Sequence, residues 1–243
     1  MTERQRIDRL LVERGMFESR AKAQAAIAAG RVIANGVVVS RASDEVAAEA
    51  VVEATSEHPW VSRGGMKLAA ALDHFRIDPK GRICLDIGAS TGGFTHVLLE
   101  RGAKRIYAVD VGRGQLHASL HGRPEIVSLE ETDIRTLSSA LLPEPPDLVV
   151  ADVSFISLKL VLPPVAALVR HPTQLVALIK PQFEAGRTHL KKGVVRDPQV
   201  HQAVCDDIAA FVAGLGWKIL GIIPSPVTGG DGNREFLLGA RHD

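Results

Sequence analysis

From Met66 onward, near-continuous apolar runs alternate with stretches of helical period. The runs ending at Ile87, Val109, Ala151 and Lys180 (Ile83–Ile87, Arg105–Val109, Asp147–Ala151, Leu175–Lys180) read as strands buried on both faces. Helices are expected over Lys67–Phe75, from Thr95 to Arg101, and over Gln199–Leu215. Two late strands, Lys218–Ile223 and Glu235–Ala240, flank the loop Pro224–Arg234 and predict an antiparallel hairpin at one sheet edge. Alternation of this kind predicts an α/β fold with a doubly wound, mostly parallel sheet.

The first ~45 residues follow a different rhythm. Ile7–Gly15 reads as an amphipathic helix stopped by a glycine. Ser19 is a natural N-cap for a second helix, Arg20 to Ala29, which ends at Gly30. Arg31–Val39 then reads as a hairpin turning at Asn35-Gly36. Two short helices and a hairpin bury little, so this segment is a small α+β domain. Its expected limits are residues 1–57, with Ala47–Glu57 as tail and connection, 58–65 as linker, and 66–243 as the larger domain. Trp60 either anchors that linker or packs in a core, and the anchoring role is preferred.

Composition narrows the class. The chain has 243 residues, 46% apolar and 23% charged, which suits a globular protein. No apolar run reaches membrane-spanning length and the N-terminus is charged, so a cytoplasmic protein without membrane attachment is expected. Cys84 and Cys205 read as small core residues. Net charge is +1, but residues 1–41 carry eight cations against four anions, leaving the remainder negative. The small domain is therefore the polyanion-binding part.

The chemistry begins at Asp86-Ile87-Gly88-Ala89-Ser90-Thr91-Gly92-Gly93-Phe94, a strand end, a glycine-rich turn and a helix start. The spacing is neither G-x-G-x-x-G nor a P-loop. Asp110 ends the next strand, 24 residues after Asp86, where a carboxylate can accept hydrogen bonds from ribose hydroxyls. An acidic residue ahead of the first glycine resembles the first motif of S-adenosylmethionine-dependent methyltransferases.

Four further polar residues stand at element ends, where ligands of such sheets bind. Lys67 opens the first helix of the large domain, Asp152 follows Asp147–Ala151, Lys180 ends Leu175–Ile179, and Glu235 opens the last strand. Together they resemble the Lys-Asp-Lys-Glu tetrad of FtsJ-type ribose 2′-O-methyltransferases, over about residues 60–240. In the small domain, Asp8, Leu11, Gly15, Ser19-Arg20, Ala23, Ile27, Gly30-Arg31-Val32 and Asn35-Gly36 are similar to the RNA-binding domain named after ribosomal protein S-four. Joined, the two halves resemble the TlyA family, described as cytidine 2′-O-methyltransferases of ribosomal RNA and historically as haemolysins.

The resemblance implies a Rossmann-like methyltransferase domain with a seven-stranded sheet. It implies S-adenosylmethionine as cofactor, ribosomal RNA or ribosomal subunits as partner, and a monomer. It carries cofactor contacts onto Asp86, Gly88, Ser90, Gly92 and Gly93, with Asp110 at the ribose and Asp133 at the adenine edge. RNA contacts fall on Arg6, Arg20, Lys22, Arg31 and Arg41. A ribose hydroxyl is a very weak acid, so a base must take its proton. Lysine serves only where its pKa is brought down from ~10.4. The expected base is Lys180, with Lys67 positioning the hydroxyl and the two carboxylates orienting the lysines.

Other chemistries fit less well. An amino-methylating Asp/Asn-Pro-Pro-aromatic motif is replaced by Asp152-Val153-Ser154-Phe155, and neither cysteine is expected at the pocket. His117 and His121 are expected on a polar helix face rather than as metal ligands. The basic loop Lys191–Asp197 reads equally as an RNA contact or a solvated loop. A non-catalytic ribosome-assembly factor is the main alternative, with a membrane-lytic protein behind it.

Overall fold

The computed structural model describes residues 4–17, 19–54 and 58–243. The chain divides into two compact units, Met1–Pro59 and Trp60–Asp243.

The first unit runs β1 (Arg4–Arg6), α1 (Ile7–Glu13), α2 (Arg20–Ala28), β2 (Val32–Ala34), β3 (Val37–Val38), β4 (Glu45–Ala47) and β5 (Val52–Ala54). Ser19 caps α2 as expected, its hydroxyl accepting the Lys22 N–H at 3.3 Å. Asn35 and Gly36 turn the β2–β3 hairpin with φ of +50° and +80°, as a type I′ turn requires. β4 and β5, absent from the sequence reading, pair with β1 and β2 respectively, so Ala47–Ala54 is the tail of this unit, in strands. Residues 55–57 of the expected connection lie outside the described residues. Ile7, Leu10, Leu11, Ala23, Ile27 and Val32 form the small core.

The second unit contains α3 (Gly64–Phe75), β6 (Ile83–Ile87), α4 (Gly93–Glu100), β7 (Arg105–Val109), β8 (Ile126–Leu129), β9 (Leu148–Ala151), α5 (Leu158–Val161), β10 (Thr173–Ile179), α6 (Pro181–Glu184), α7 (Pro198–Gly214), β11 (Lys218–Pro224) and β12 (Phe236–His242). Its seven-stranded sheet has the order β11-β12-β10-β9-β6-β7-β8. β12 runs antiparallel to both neighbours, and the pairs from β10 to β8 are parallel. The late hairpin is therefore present, with β12 inserted between β11 and β10. β8 was not anticipated.

The pleat explains the continuous apolar runs. Leu85, Ile87, Val149, Ala151, Leu175 and Ala177 pack on the side of α5 and α7. Cys84, Val150, Val176 and Leu178 pack on the opposite side with residues of α3 and α4. Nearly every position of a central strand is thus apolar because both faces are covered, with Asp86 of β6 a buried exception. Trp60 joins the second of these clusters, and Gly65 lies so close to its ring that an added Cβ would meet Trp60 Cγ at 2.5 Å. The expected linker 58–65 is therefore split: Trp60 is packed against the core and Gly64-Gly65 form the first turn of α3. Among the described residues, no helix is long and apolar enough to cross a membrane.

Candidate active site

The carboxyl ends of the parallel strands β6, β9 and β10 open into a cavity of about 610 Å³. Lys67, Asp152, Lys180 and Glu235 all line it, although they come from α3, two strand ends and the turn into β12. Lys67 and Lys180 are each 8% exposed and Glu235 4%, so these charges are largely withdrawn from water. They form two ion pairs. Lys67 Nζ lies 2.6 Å from Glu235 Oε2 as a buried hydrogen bond. Lys180 Nζ lies 2.6 Å from Asp152 Oδ1, off the axis of a hydrogen bond, and donates to Ser154 Oγ at 2.9 Å. Backbone space is reserved for this arrangement: a Cβ on Gly229 would meet Glu235 Oε1 at 2.1 Å.

A second cavity of about 520 Å³ adjoins the first and shares Gly88, Ser90, Asp152, Ser154 and Phe155 as wall. Asp110 and Asp133 line it. Asp110 accepts the Ser90 N–H at 2.8 Å and the Gly112 N–H at 2.7 Å, which pins the glycine-rich turn to the end of β7. Each oxygen keeps acceptor capacity beyond those bonds. Asp133 instead caps a short 3₁₀ turn and pairs with Arg135 at 2.6 Å, which holds its carboxyl below the usual range.

The glycine-rich turn divides by role. Gly88 has φ +82°, and a Cβ there would meet the Asp152 carbonyl oxygen at 2.6 Å. Ser90, at φ +47°, and Gly93 also reach the first cavity. Gly92 does not: it is absent from both cavity walls, and an added Cβ would strike Leu120 at 2.4 Å. Its place in the turn is steric.

Asp86 likewise lines neither cavity, contrary to the expected cofactor contact. On β6 it shares the pleat side of Cys84, which faces α4, so its carboxylate is fully buried and accepts the Thr95 hydroxyl at 2.6 Å. Burial pushes the Asp86 carboxyl up to about 7, with the Thr95 hydrogen bond opposing. A raised native pKa means that stability is greatest in acid and declines as pH rises from the ordinary carboxylate range to about 7. Asp86→Asn is expected to remove this slope, so that melting temperatures at pH 5 and pH 8 lie closer together than in the wild type. An unchanged slope would assign the pH response elsewhere.

Several participants were not found from sequence. Phe155 is 91% exposed at the mouth of both cavities, has φ +64° and touches Phe183 at 5.0 Å between ring centroids. A non-glycine residue in that region persists only where its surroundings hold it. The signal available was a large apolar residue between two serines after a strand-ending acid. Glu130 accepts N–H groups from Gly114, Gln115 and Leu116 at 2.9, 2.7 and 3.2 Å, fixing the loop that brings Gln115 to the second cavity. His117 and His121 flank a 3₁₀ turn, not a helix face. Burial pushes both cysteine thiols up, which disfavours a thiolate nucleophile at either.

A match to the FtsJ-like methyltransferase family spans residues 60–242, the segment holding both cavities. The chain belongs to the FtsJ-like methyltransferase family. A match to the S4 domain covers residues 5–52 of this FtsJ-like methyltransferase. It is 44% identical to the 16S/23S rRNA (cytidine-2′-O)-methyltransferase TlyA of Mycobacterium tuberculosis, over 99% of this chain and 91% of the other. Identity is also 44% to YqxC of Bacillus subtilis, provisionally named an rRNA methyltransferase, over 98% of this chain and 85% of the other. A solved structure from Streptococcus thermophilus, provisionally named a hemolysin, superposes with a TM-score of 0.77 at 38% identity, covering 100% of this chain and 90% of the other. The expected TlyA kinship and the Rossmann-like methyltransferase fold both hold for this FtsJ-like methyltransferase.

The S4 unit alters the expected RNA contacts. Arg6 and Arg20 both turn to the fully buried Asp8, with Nη2 atoms 3.0 and 2.8 Å from Asp8 Oδ2, and Gln24 adds a bond at 2.8 Å. The pairing holds the Asp8 carboxyl well below its usual range. These two arginines therefore brace the domain. Lys22 and Arg41 are exposed; Arg41 stands 3.6 Å from Asp44, and Arg31 is half-buried.

Proposed function

We propose that this protein methylates the ribose 2′-hydroxyl of cytidines in ribosomal RNA, using S-adenosylmethionine, in the cytoplasm. One observation carries the reading: the four tetrad side chains line one cavity, and that cavity shares a wall with another holding Asp110. A site of this layout has a place for a nucleoside donor and a place for an attacking hydroxyl.

The residues fit the donor. Asp110 has acceptor capacity left for ribose hydroxyls, the backbone around Gly88 and Ser90 suits the methionine end, and Asp133, on the wall of the same cavity though paired with Arg135, is assigned to the adenine edge. S-adenosylmethionine, when bound, supplies an electrophilic methyl group on a sulfonium. The chain then has two tasks, aligning the hydroxyl and taking its proton. Lys180 is assigned as the proton acceptor, a role it fills as the neutral amine, with its Nζ oriented by Asp152 and Ser154. Lys67, fixed by Glu235, is assigned to hold the hydroxyl oxygen as negative charge develops on it. Alignment of the hydroxyl with the methyl group supplies much of the remaining rate.

On the S4 unit, Lys22, Arg31 and Arg41 are assigned to RNA phosphates, which position the substrate without reading its sequence. Mapping 2′-O-methyl positions on ribosomal RNA from cells with and without the gene tests the whole reading. Cytidine marks that vanish without the protein and return with it are expected; identical maps would exclude this activity.

A further inference from the structure

The two loops that carry the second lysine–carboxylate pair leave adjacent parallel strands. The last residue pair in register between them is Ala177–Ala151. Asp152 and Lys180 both lie beyond it, where no sheet ladder fixes one loop against the other. The backbone ties each to a different neighbour, Asp152 N–H to the Ile87 carbonyl at 3.0 Å and Ile179 in register with Phe236 of β12, so side chains complete the spacing between the two loops.

One side chain is built for that purpose. Glu184, at the end of α6, reaches from the Lys180 loop across to the Asp152 loop. Its Oε2 accepts the Ser157 hydroxyl at 2.5 Å and its Oε1 accepts the Leu158 N–H at 2.8 Å. Both oxygens are thus committed to the neighbouring loop, at the point where Ser157 caps α5. Glu184 lines neither cavity, so it does not meet a substrate. Burial pushes its carboxyl up while the two bonds pull it down. Between this bridge and the ion pair lies the Phe155–Phe183 ring contact. The left-handed backbone at Phe155 falls within the span that Glu184 closes.

We propose that Glu184 is a positioning residue for methyl transfer, its bridge to Ser157 and Leu158 setting the distance between Lys180 and the Asp152–Ser154 segment. The inference rests on the reading of Lys180 as proton acceptor. Loss of the bridge frees the loops to separate, and a displacement near 1 Å at a reacting group costs on the order of 100-fold in rate. Glutamine at 184 retains an acceptor for the Leu158 N–H, and its amide can donate to the Ser157 hydroxyl, which reverses its own role.

The test compares full-length wild type, Glu184→Ala, Glu184→Gln and Lys180→Met on unmethylated ribosomal RNA, with S-adenosylmethionine affinity from calorimetry. For Glu184→Ala, kcat is expected to fall by about 10- to 100-fold, with KM for RNA and cofactor affinity close to wild type. Glu184→Gln is expected to recover most of that loss. Wild-type kcat in Glu184→Ala overturns the inference. So does a parallel loss of cofactor binding, melting temperature and kcat that glutamine does not relieve, because that is general collapse. An active Lys180→Met enzyme sinks the base assignment itself; an inactive one beside a fully active Glu184→Ala sinks only the positioning role. If Glu184→Ala does not fold, Glu184→Asp, which keeps the charge but shortens the reach, serves for the same comparison.

Discussion

Lys180→Met is expected to lower methyl transfer by about 10²- to 10⁴-fold, the usual worth of a general base, without weakening cofactor binding. Methionine keeps the length and much of the apolar stem of lysine but can neither hold nor accept the proton. Its neighbours make the outcome informative. Asp152 loses the ammonium 2.6 Å away but remains partly solvated, so the variant should fold. Asp110, in the adjoining cavity, is untouched, so calorimetric affinity for S-adenosylmethionine should stay near wild type. Single-turnover methylation of ribosomal RNA reads the chemical step directly. A variant that binds cofactor and RNA and methylates at the wild-type rate would move the base assignment away from Lys180. Lys67→Met should also be defective, but its partner Glu235 is then left buried and unpaired, so its loss of activity mixes chemistry with stability.

The second large effect is structural. Asp8→Ala is expected to unfold the small N-terminal unit, or to leave it open to proteolysis, while the catalytic unit keeps its own melting transition. Asp8 is fully buried, and Arg6, Arg20 and Gln24 all converge on it. Without that carboxylate the donors converging on it lose their acceptor, a loss that so small a core is poorly able to offset. The sign of the pH response is definite. A carboxyl held below its ordinary range contributes stability that is present above that range and is lost as pH falls through the lowered native value. Acid should therefore melt the N-terminal unit in the wild type. In Asp8→Ala it should already be melted at neutral pH, as read by hydrogen exchange at α1 and α2. Protection equal to wild type at those amides would show that the cluster is dispensable.

The sequence was most readable where burial is complete. Central strands β6, β7, β9 and β10 are apolar at nearly every position because both sheet faces are covered, and their limits were close to those observed. β8 escaped because it is an edge strand: Ile126-Val127-Ser128-Leu129 has one neighbour and is partly exposed, so its apolar signal is short and broken. β4 and β5 escaped for the same reason on a smaller scale. Lys67, Asp152, Lys180 and Glu235 were legible as candidates because each punctuates an apolar run, and they line one cavity. The pairing of Arg6 and Arg20 with Asp8 was not legible because Asp8 is reached across separate elements; a cation count cannot tell a bracing guanidinium from one aimed at phosphate. Asp86 shows the limit of motif reading, since its pleat position turns it toward α4 whatever its place in the motif.

The contact between Gly88 and the Asp152 carbonyl constrains how this enzyme can change. The two adjoining cavities meet at a point with no room for a single added carbon, so their walls cannot be altered independently there. Widening the second cavity without disturbing the first would fall on Asp110 and Gln115, which line the second alone. Drift at position 88 would disturb both cavities at once.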